Sequence, residues 1–505
     1  MTDHLTRISR RGALHLLFGG AALPMISSWS DAAAMPADGL SRSTPESQGV
    51  SAAGILAFLD GIEETGFEVQ SFMLWRHDHV VAEGWWSPYR ADRIHMMHSL
   101  TKSVTACAVG LAVADGHFRL EDKAVSFYPE HLPATVSDNL AAMTVEDLLT
   151  MRTGHAGMVS GSAWRPIKTS WIAEFFKIPV VTRPGTNFVY TSAATYMLSA
   201  IVTRTVGQSV ADYLKPRLFD PLGIEGYQWP AGPEGISPGA NGLSWKTVDS
   251  LKLGILHARN GVWQGRQILP KTWTDAVQYP HVPDTYGYQW WLGPDGVFLA
   301  DGLFSQLCFV FPRHDAVLAI TAGIPEKSQF NKFVYKYFPT AFSVASPNDS
   351  LVLKTRIGTL RLLPPARLTH SPVVPHVSRK IYRFPDNADQ VKSMQFDFTE
   401  TECVFTLEDY RGAHTIKAGL GRPVEGDTTM TGNKLHHEYE LDQMRVVASG
   451  EWRDDRTFVM IWSFVETAFR DTVVCSFEGP SLRFDRSVNV NSAETSLPTL
   501  VGRMA

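Results

Sequence analysis

Ser99 and Lys102 lie three residues apart in the segment S-L-T-K at 99–102, and these two residue types can form a nucleophile and its base. Apolar residues recur at three- and four-residue steps from Val104 to Ala112, which predicts a helix that starts near Ser99. On a helix, residues i and i+3 share one face, so the lysine amine can take the serine proton. The positive end of the helix would favour the developing alkoxide.

Further blocks of sequence accompany this segment in a fixed order along residues 40–345. They are V-V-A-E-G at 80–84, H-S-L-T-K-S-V-T at 98–105, D-G-H-F-R-L-E-D at 115–122, T-V-E-D-L-L-T-M-R-T-G at 144–154, P-G-T-N-F-V-Y-T-S at 184–192 and Y-G-Y-Q-W-W at 286–291. Together they resemble the β-lactamase-like serine hydrolases. That family includes class C β-lactamases, D-alanyl-D-alanine carboxypeptidases, related esterases and 6-aminohexanoate-oligomer hydrolases. The resemblance implies that Ser99 is the nucleophile and Lys102 its base.

The second motif of that family is Y-x-N, whose tyrosine shares general-base work with the lysine. The segment Y-T-S at 190–192 matches it, so the resemblance assigns Tyr190 to catalysis. A neighbouring ammonium is expected to lower the pKa of Tyr190 and to let it exchange protons near neutrality. Ser192 replaces the asparagine. Its hydroxyl can still bind substrate, but it lacks the paired donors of an amide.

The third motif departs from the β-lactamase pattern. The segment A-D-G-L-F-S-Q at 300–306 resembles the G-x-x-G-Q form of esterase and oligomer-hydrolase relatives, with Ser305 where glycine is usual. It lacks the lysine or histidine that would bind a substrate carboxylate. We assign Ser305 and Gln306 to substrate binding, and a backbone N–H near Ser305 can complete an oxyanion hole.

The resemblance implies an α+β fold of the β-lactamase/transpeptidase type, with an antiparallel sheet flanked by helices. It implies a serine hydrolase that cleaves esters or small amides through an acyl-enzyme on Ser99. Two alternatives stay open: a β-lactamase or D-alanyl-D-alanine peptidase activity, and a catalytically silent binding or sensor protein of the same fold. The altered third motif favours the silent protein, whereas the complete set of Ser99, Lys102 and Tyr190 favours the enzyme.

The amino-acid composition limits the kinds of partner that the chain is expected to bind. The chain has 505 residues, of which 44% are hydrophobic and 19% charged, so it can bury a sizeable core. The net charge of −5 is spread without blocks of like charge, which gives no indication of a nucleic acid or a membrane surface as partner. Beyond the N-terminus no apolar run is long enough to insert stably in a membrane. The predicted partner is a small ester or amide substrate, and the oligomeric state stays open.

Neither a cofactor nor a metal ion is predicted. Acyl transfer to serine needs no cofactor. His95 and His98 stand three residues apart but no third ligand is apparent, so His98 is expected to pack beside the nucleophile. Cys403 and Cys475 lie in strand-like segments and either form a disulfide or remain two buried thiols.

The N-terminus resembles an export signal. Arg7, Arg10 and Arg11 precede an apolar run over residues 13–26, followed by D-A-A-A at 31–34, a small-residue site suited to a signal peptidase. The run S-R-R-G-A-L at 9–14 resembles a twin-arginine signal. Residues 1–34 are therefore predicted to be a signal peptide that directs the chain to the periplasm or the exterior. The alternatives are a chance arginine pair in an ordinary secretory signal and a frayed N-terminal tail.

Two domains are expected to follow this leader. Residues 35–362 form the predicted hydrolase domain, and the proline-containing stretch 363–380 is the predicted linker. In residues 381–505 strand after strand is predicted, for example where Met394, Phe396 and Phe398 alternate with polar residues. This pattern predicts a small barrel or sandwich, in which H-H-E at 436–438 is expected to lie on a surface strand edge.

Overall fold

The computed structural model of the chain describes residues 37–342, 349–362 and 368–505. The predicted leader at 1–34 and the first part of the predicted linker, 363–367, lie outside these residues. The signal peptide and the domain limits therefore stay predictions. Within the described ranges, no helix is both long and apolar enough to span a bilayer.

A seven-stranded sheet forms the centre of the N-terminal part. Its strands pair antiparallel except at one edge, where the first two run parallel. The central strands bury side chains on both faces because helices cover both, which explains their continuous apolar runs. In sheet order the strands are Ser41–Arg42, His79–Trp85, Val69–Arg76, Ala316–Ala322, Gln306–Phe311, Phe298–Gly302 and Trp291–Leu292.

Helices cover the two faces of this sheet. Ala52–Thr65 and Lys327–Tyr337 pack on one face, and Thr247–Ala258 packs on the other. Thr101–Ala114, called the central helix below, is buried on almost every side and packs against Ser192–Val206. The other α-helices are Asp138–Ala142, Val145–Leu149, Gly161–Trp164, Trp171–Lys177, Val210–Leu214, Asp220–Leu222, Lys271–Gln278, Ser350–Ile357 and Val374–Val377.

The C-terminal part is a closed barrel of nine strands. Eight antiparallel pairings link them in a row, and a short parallel pairing between the strands at 412–420 and 444–452 closes the ring. Apolar side chains point inwards at every second position, as predicted from the alternation. The strands are Ile381–Arg383, Ser393–Phe398, Glu402–Asp409, Gly412–Leu420, Met444–Trp452, Thr457–Ser463, Arg470–Glu478, Ser481–Val488 and Leu500–Met504, and Val424–Thr428 pairs outside the ring.

This arrangement confirms the predicted α+β fold with a smaller all-β C-terminal domain. It also answers the question left open for two cysteines. Cys403 and Cys475 are both free thiols inside the barrel, and burial raises the pKa of each well above its usual range.

The barrel docks on the N-terminal domain through buried polar contacts. Arg470 forms an ion pair with Glu68 at 2.5 Å, and the Tyr89 hydroxyl donates to the Thr467 backbone carbonyl at 3.1 Å. The backbone N–H of Met96, three residues before Ser99, donates to the Glu466 carbonyl at 2.9 Å. The barrel is thus fixed to the segment that leads into Ser99.

Candidate active site

Ser99 lies in the single 3-10 turn His98–Leu100, directly before the central helix. The chain enters this turn through His98, whose φ of 48° is a left-handed value that non-glycine residues rarely adopt. Such strained conformations persist where surrounding contacts fix the backbone. Here the His98 ring is buried among aromatic side chains, so the turn that presents Ser99 is held from outside the helix.

Lys102 points into the space between Ser99 and the start of a second helix. Its Nζ atom donates to Ser99 Oγ at 3.2 Å, to Ser192 Oγ at 3.2 Å and to the Ala240 carbonyl at 3.0 Å. The side chain is almost completely buried. The predicted i, i+3 contact is therefore present, and the same amine reaches Ser192 from the second motif.

Tyr190 completes this group. Lys102 Nζ lies 5.0 Å from the centre of its ring, and its phenol is near enough to the Ser99 side chain for Ser99 to lower the pKa of the phenol. Burial raises the pKa of Tyr190, the negative charge of Asp301 adds to the rise, and Ser99 opposes it. The prediction of a lowered pKa was wrong, because desolvation of the phenol dominates. The raised pKa keeps Tyr190 protonated at neutral pH, and its catalytic role stays a prediction.

The third motif forms a tight hairpin beside this group. A Cβ atom at Gly302 would lie 2.2 Å from the Met97 carbonyl oxygen and 3.2 Å from the Leu100 backbone nitrogen, so only glycine lets the strand pass the turn that carries Ser99. Phe304 and Ser305 form the hairpin tip with left-handed φ values of 62° and 69°. The hairpin backbone thus adjoins Ser99, the predicted nucleophile.

One observation decides the family of this chain. Residues 58–332, more than half of the chain, match the family model described as Beta-lactamase.

The chain belongs to the beta-lactamase family.

Among its relatives, this beta-lactamase-family chain is 22% identical over 297 residues to the 6-aminohexanoate-dimer hydrolase of Paenarthrobacter ureafaciens, covering 52% of this chain and 74% of that protein. It is 26% identical over 164 residues to the lovastatin esterase of Penicillium rubens, covering 28% of this chain and 41% of that protein. The octameric penicillin-binding protein homologue from Pyrococcus abyssi aligns with 13% identity and a TM-score of 0.45, over 89% of this chain and 99% of that one. The predicted family is confirmed.

The predicted substrate-binding residues fall into two groups in this member of the family. Ser192 lies at the site beside Lys102, as described above. Gln306 is buried, and its amide braces the hairpin by donating to the carbonyls of Leu303, Phe304 and Ala322. Ser305 is also fully buried, and the substrate-binding roles of Gln306 and Ser305 stay predictions.

A cluster of aromatic residues from the barrel also reaches the site, and sequence analysis missed it. The Tyr439 hydroxyl lies 3.3 Å from His98 Nδ1, and the Arg165 guanidinium lies 3.8 Å above the Tyr439 ring. Arg165 also donates to the His437 carbonyl. No local pattern in the sequence marks these residues, because their contact depends on how the barrel docks.

The expectation for H-H-E at 436–438 was wrong for the same reason. His436 is fully buried, bonds Asp471 at 2.7 Å and stacks on Phe469. His95 also has a structural role, since its Nε2 lies 2.8 Å from the Gln70 side-chain oxygen. The described part of the chain contains no group of three histidine, cysteine or acidic side chains placed to hold a metal ion.

Proposed function

We propose that this beta-lactamase-family protein is a serine hydrolase that cleaves neutral carboxylic esters, and small amides more slowly, through an acyl-enzyme on Ser99. The observation that carries the proposal is that Lys102 Nζ bonds the Ser99 hydroxyl at 3.2 Å in a largely buried site, with the Tyr190 phenol beside them. The relatives named as an amide hydrolase and an esterase support the same chemistry.

In the proposed first step, Ser99 Oγ bonds to the substrate carbonyl carbon while its proton passes to the neutral amine of Lys102. For this step the amine has lost the proton that it donates to Ser99 Oγ in the structure, so its lone pair faces that hydroxyl while its two hydrogens bond Ser192 Oγ and the Ala240 carbonyl. Backbone N–H groups of Ser99 and of the hairpin at 303–305 hold the oxyanion. The carbonyl re-forms as the bond to the leaving oxygen breaks, and this oxygen takes a proton through Tyr190 from Lys102.

In the second step, water replaces the alcohol. Lys102, neutral again, removes a proton from water as the water oxygen bonds to the acyl carbon. The bond to Ser99 Oγ then breaks and the proton returns to Ser99. The high pKa of the Tyr190 phenol suits a group that passes protons without remaining ionised.

We expect short esters to be hydrolysed far faster than β-lactams. The third motif offers a β-lactam carboxylate no lysine or histidine, and the carboxylate of Asp301 lies close enough to Tyr190 to raise its pKa. Placing a second carboxylate there without a cation costs several kcal/mol, so a preference of about a hundredfold or more is expected. Values of kcat/KM for p-nitrophenyl butyrate and nitrocefin measure it. A higher value for nitrocefin would contradict the ester proposal and favour a β-lactamase.

We also propose that the chain is exported through its twin-arginine-like leader. The mature protein should then begin near Met35, and replacing Arg10 and Arg11 by lysine should block export, because that route reads the arginine pair. N-terminal sequencing of the exported protein and a fractionation assay of the double variant test both points. Unimpaired export of the variant would show that another route is used.

A further inference from the structure

A cleft of about 530 Å³ lies between the N-terminal domain and the barrel. One wall comes from residues 160–171 and 228–244, and the other from the barrel residues 439–445. Its volume is in the range of pockets that bind small organic molecules. The barrel therefore completes a cavity that the N-terminal domain does not enclose by itself.

The walls of this cleft present mainly apolar groups. Trp164 and Trp171 lie side by side on the N-terminal side, and both rings pack against Tyr196. Trp171 Nε1 donates to the Ile167 carbonyl at 2.9 Å, so its polar atom is already satisfied. Leu441 lines the cleft on the barrel side. A ligand group in this space would bind by exchanging water for apolar contacts.

Two of the three cations that line the cleft contact other groups of the protein. Arg165 stacks on Tyr439 and bonds the His437 carbonyl, and Arg445 bonds Asp427 at 3.3 Å. The remaining charged lining residues are Lys168, Glu440 and Glu466, which carry both signs. The lining thus shows no dominant charge, and a neutral ligand group fits it better than an ionised one.

The inner end of the cleft meets the catalytic group. Ser192 and Ala240 line it, and both accept a hydrogen bond from the Lys102 amine that also contacts Ser99. Ser99 and Tyr190 do not line the cleft themselves, so the cleft adjoins Ser99 through Ser192 and the Lys102 amine. In the proposed mechanism the leaving group lies beside Tyr190, which leaves the cleft for the acyl side of a substrate whose carbonyl is at Ser99.

We infer that this cleft binds a neutral medium-chain acyl group of the substrate and that the barrel supplies one side of the acyl pocket. The inference rests on the proposed function for the identity of the reacting ester. The specificity of the enzyme for its acyl group then depends on the C-terminal domain as well as on the catalytic one.

A series of p-nitrophenyl esters from acetate to octanoate tests this inference. Each methylene that moves from water into an apolar pocket favours the reaction by up to about fourfold. We expect kcat/KM to rise from acetate to octanoate by on the order of a hundredfold. A flat series, or one that falls from acetate onwards, would overturn the assignment.

Substitution of a barrel residue tests whether the rise of kcat/KM with acyl length comes from binding in this cleft. Leu441→Trp narrows the cleft, and we expect it to reduce the preference for octanoate over acetate at least tenfold while kcat/KM for acetate stays within about threefold. Val501→Trp is the matched control, because Val501 is an exposed barrel residue outside the cleft. Ile167→Trp narrows the opposite wall and provides a second test if the first variant does not fold, as judged by circular dichroism. An unchanged octanoate preference in the folded variants would overturn the inference.

Two further measurements keep the inference separate from the proposed function. For acetate esters of increasingly long alcohols, Leu441→Trp should have little effect on kcat/KM. A loss of kcat/KM confined to the long alcohols would place the leaving group in the cleft instead. Binding of octanamide to Ser99→Ala protein, measured by calorimetry, should weaken at least tenfold in the double variant with Leu441→Trp. If octanamide binds in this way but no ester is hydrolysed by the unaltered protein, the proposed function fails and the cleft assignment stands.

Discussion

Replacing Ser99 by alanine should reduce kcat for p-nitrophenyl butyrate by a factor on the order of 10³ or more, with no change in the thermal unfolding midpoint beyond a few degrees. Ser99 Oγ is the only protein atom that bonds to the substrate carbon in the proposed mechanism, so its loss removes the covalent route altogether. The hydroxyl lies at the site between Lys102 and Tyr190 and carries no part of the hydrophobic core. Steady-state kinetics and thermal melts measure the two effects.

Ser103→Ala is the matched control for this variant. Ser103 lies one turn further along the central helix, and its hydroxyl donates to the Gln289 carbonyl at 2.8 Å, away from Lys102 Nζ. We expect this control to keep its activity at 25 °C, with a stability loss of about 1 kcal/mol from the missing hydrogen bond. If Ser99→Ala protein retains a tenth or more of its activity, Ser99 is not the nucleophile.

Lys102→Met and Tyr190→Phe should each lower kcat/KM by about 10²- to 10⁴-fold, the range for a positioned proton-transfer group. The kcat/KM of the double variant should be at most about tenfold below that of the less active single variant. The reason is that both groups lie beside the same hydroxyl and handle the same proton, and residues that act as one unit are not additive. Kinetics of all four proteins with one ester complete the cycle.

The chain offers a control for each of these variants. Lys252 is another almost completely buried lysine, and its Nζ donates to the Gly223 carbonyl at 3.0 Å. The Tyr128 hydroxyl donates to the Ala200 carbonyl at 2.7 Å. Lys252→Met and Tyr128→Phe should lose stability without a large loss of activity. If the losses of kcat/KM in the Lys102 and Tyr190 variants multiply in the double variant, the two groups act independently. The proposed proton transfer shared by the two groups is then wrong.

The parts of the fold and site that could be predicted depend on neighbours in the sequence. The helix after Ser99 follows from the apolar repeat, and the contact of Ser99 with Lys102 follows from their spacing on it. The barrel strands follow from strict alternation, as in Ser393–Phe398. Joining Tyr190 to this pair required the family resemblance, because no local pattern links segments so far apart.

The parts that could not be predicted depend on packing between distant segments. The pKa of Tyr190 is set by its burial, to which the Trp291 and Tyr286 rings contribute from a hundred positions further along the chain. The role of Gln306 depends on the carbonyls that the folded hairpin turns towards its amide. The position of Tyr439 beside His98 depends on the docking of a second domain. Residue type and spacing carry none of this information.

The central claim is that hydrolysis passes through a covalent bond to Ser99, and peptide mass mapping of a trapped intermediate tests it most directly. The protein is mixed with a slowly hydrolysed ester such as p-nitrophenyl pivalate, quenched with acid and digested with trypsin. We expect the acyl mass to appear on the peptide of residues 94–102, with fragment ions that place it on Ser99. An acyl group on any other residue, or its persistence in Ser99→Ala protein, would contradict the assignment of the nucleophile.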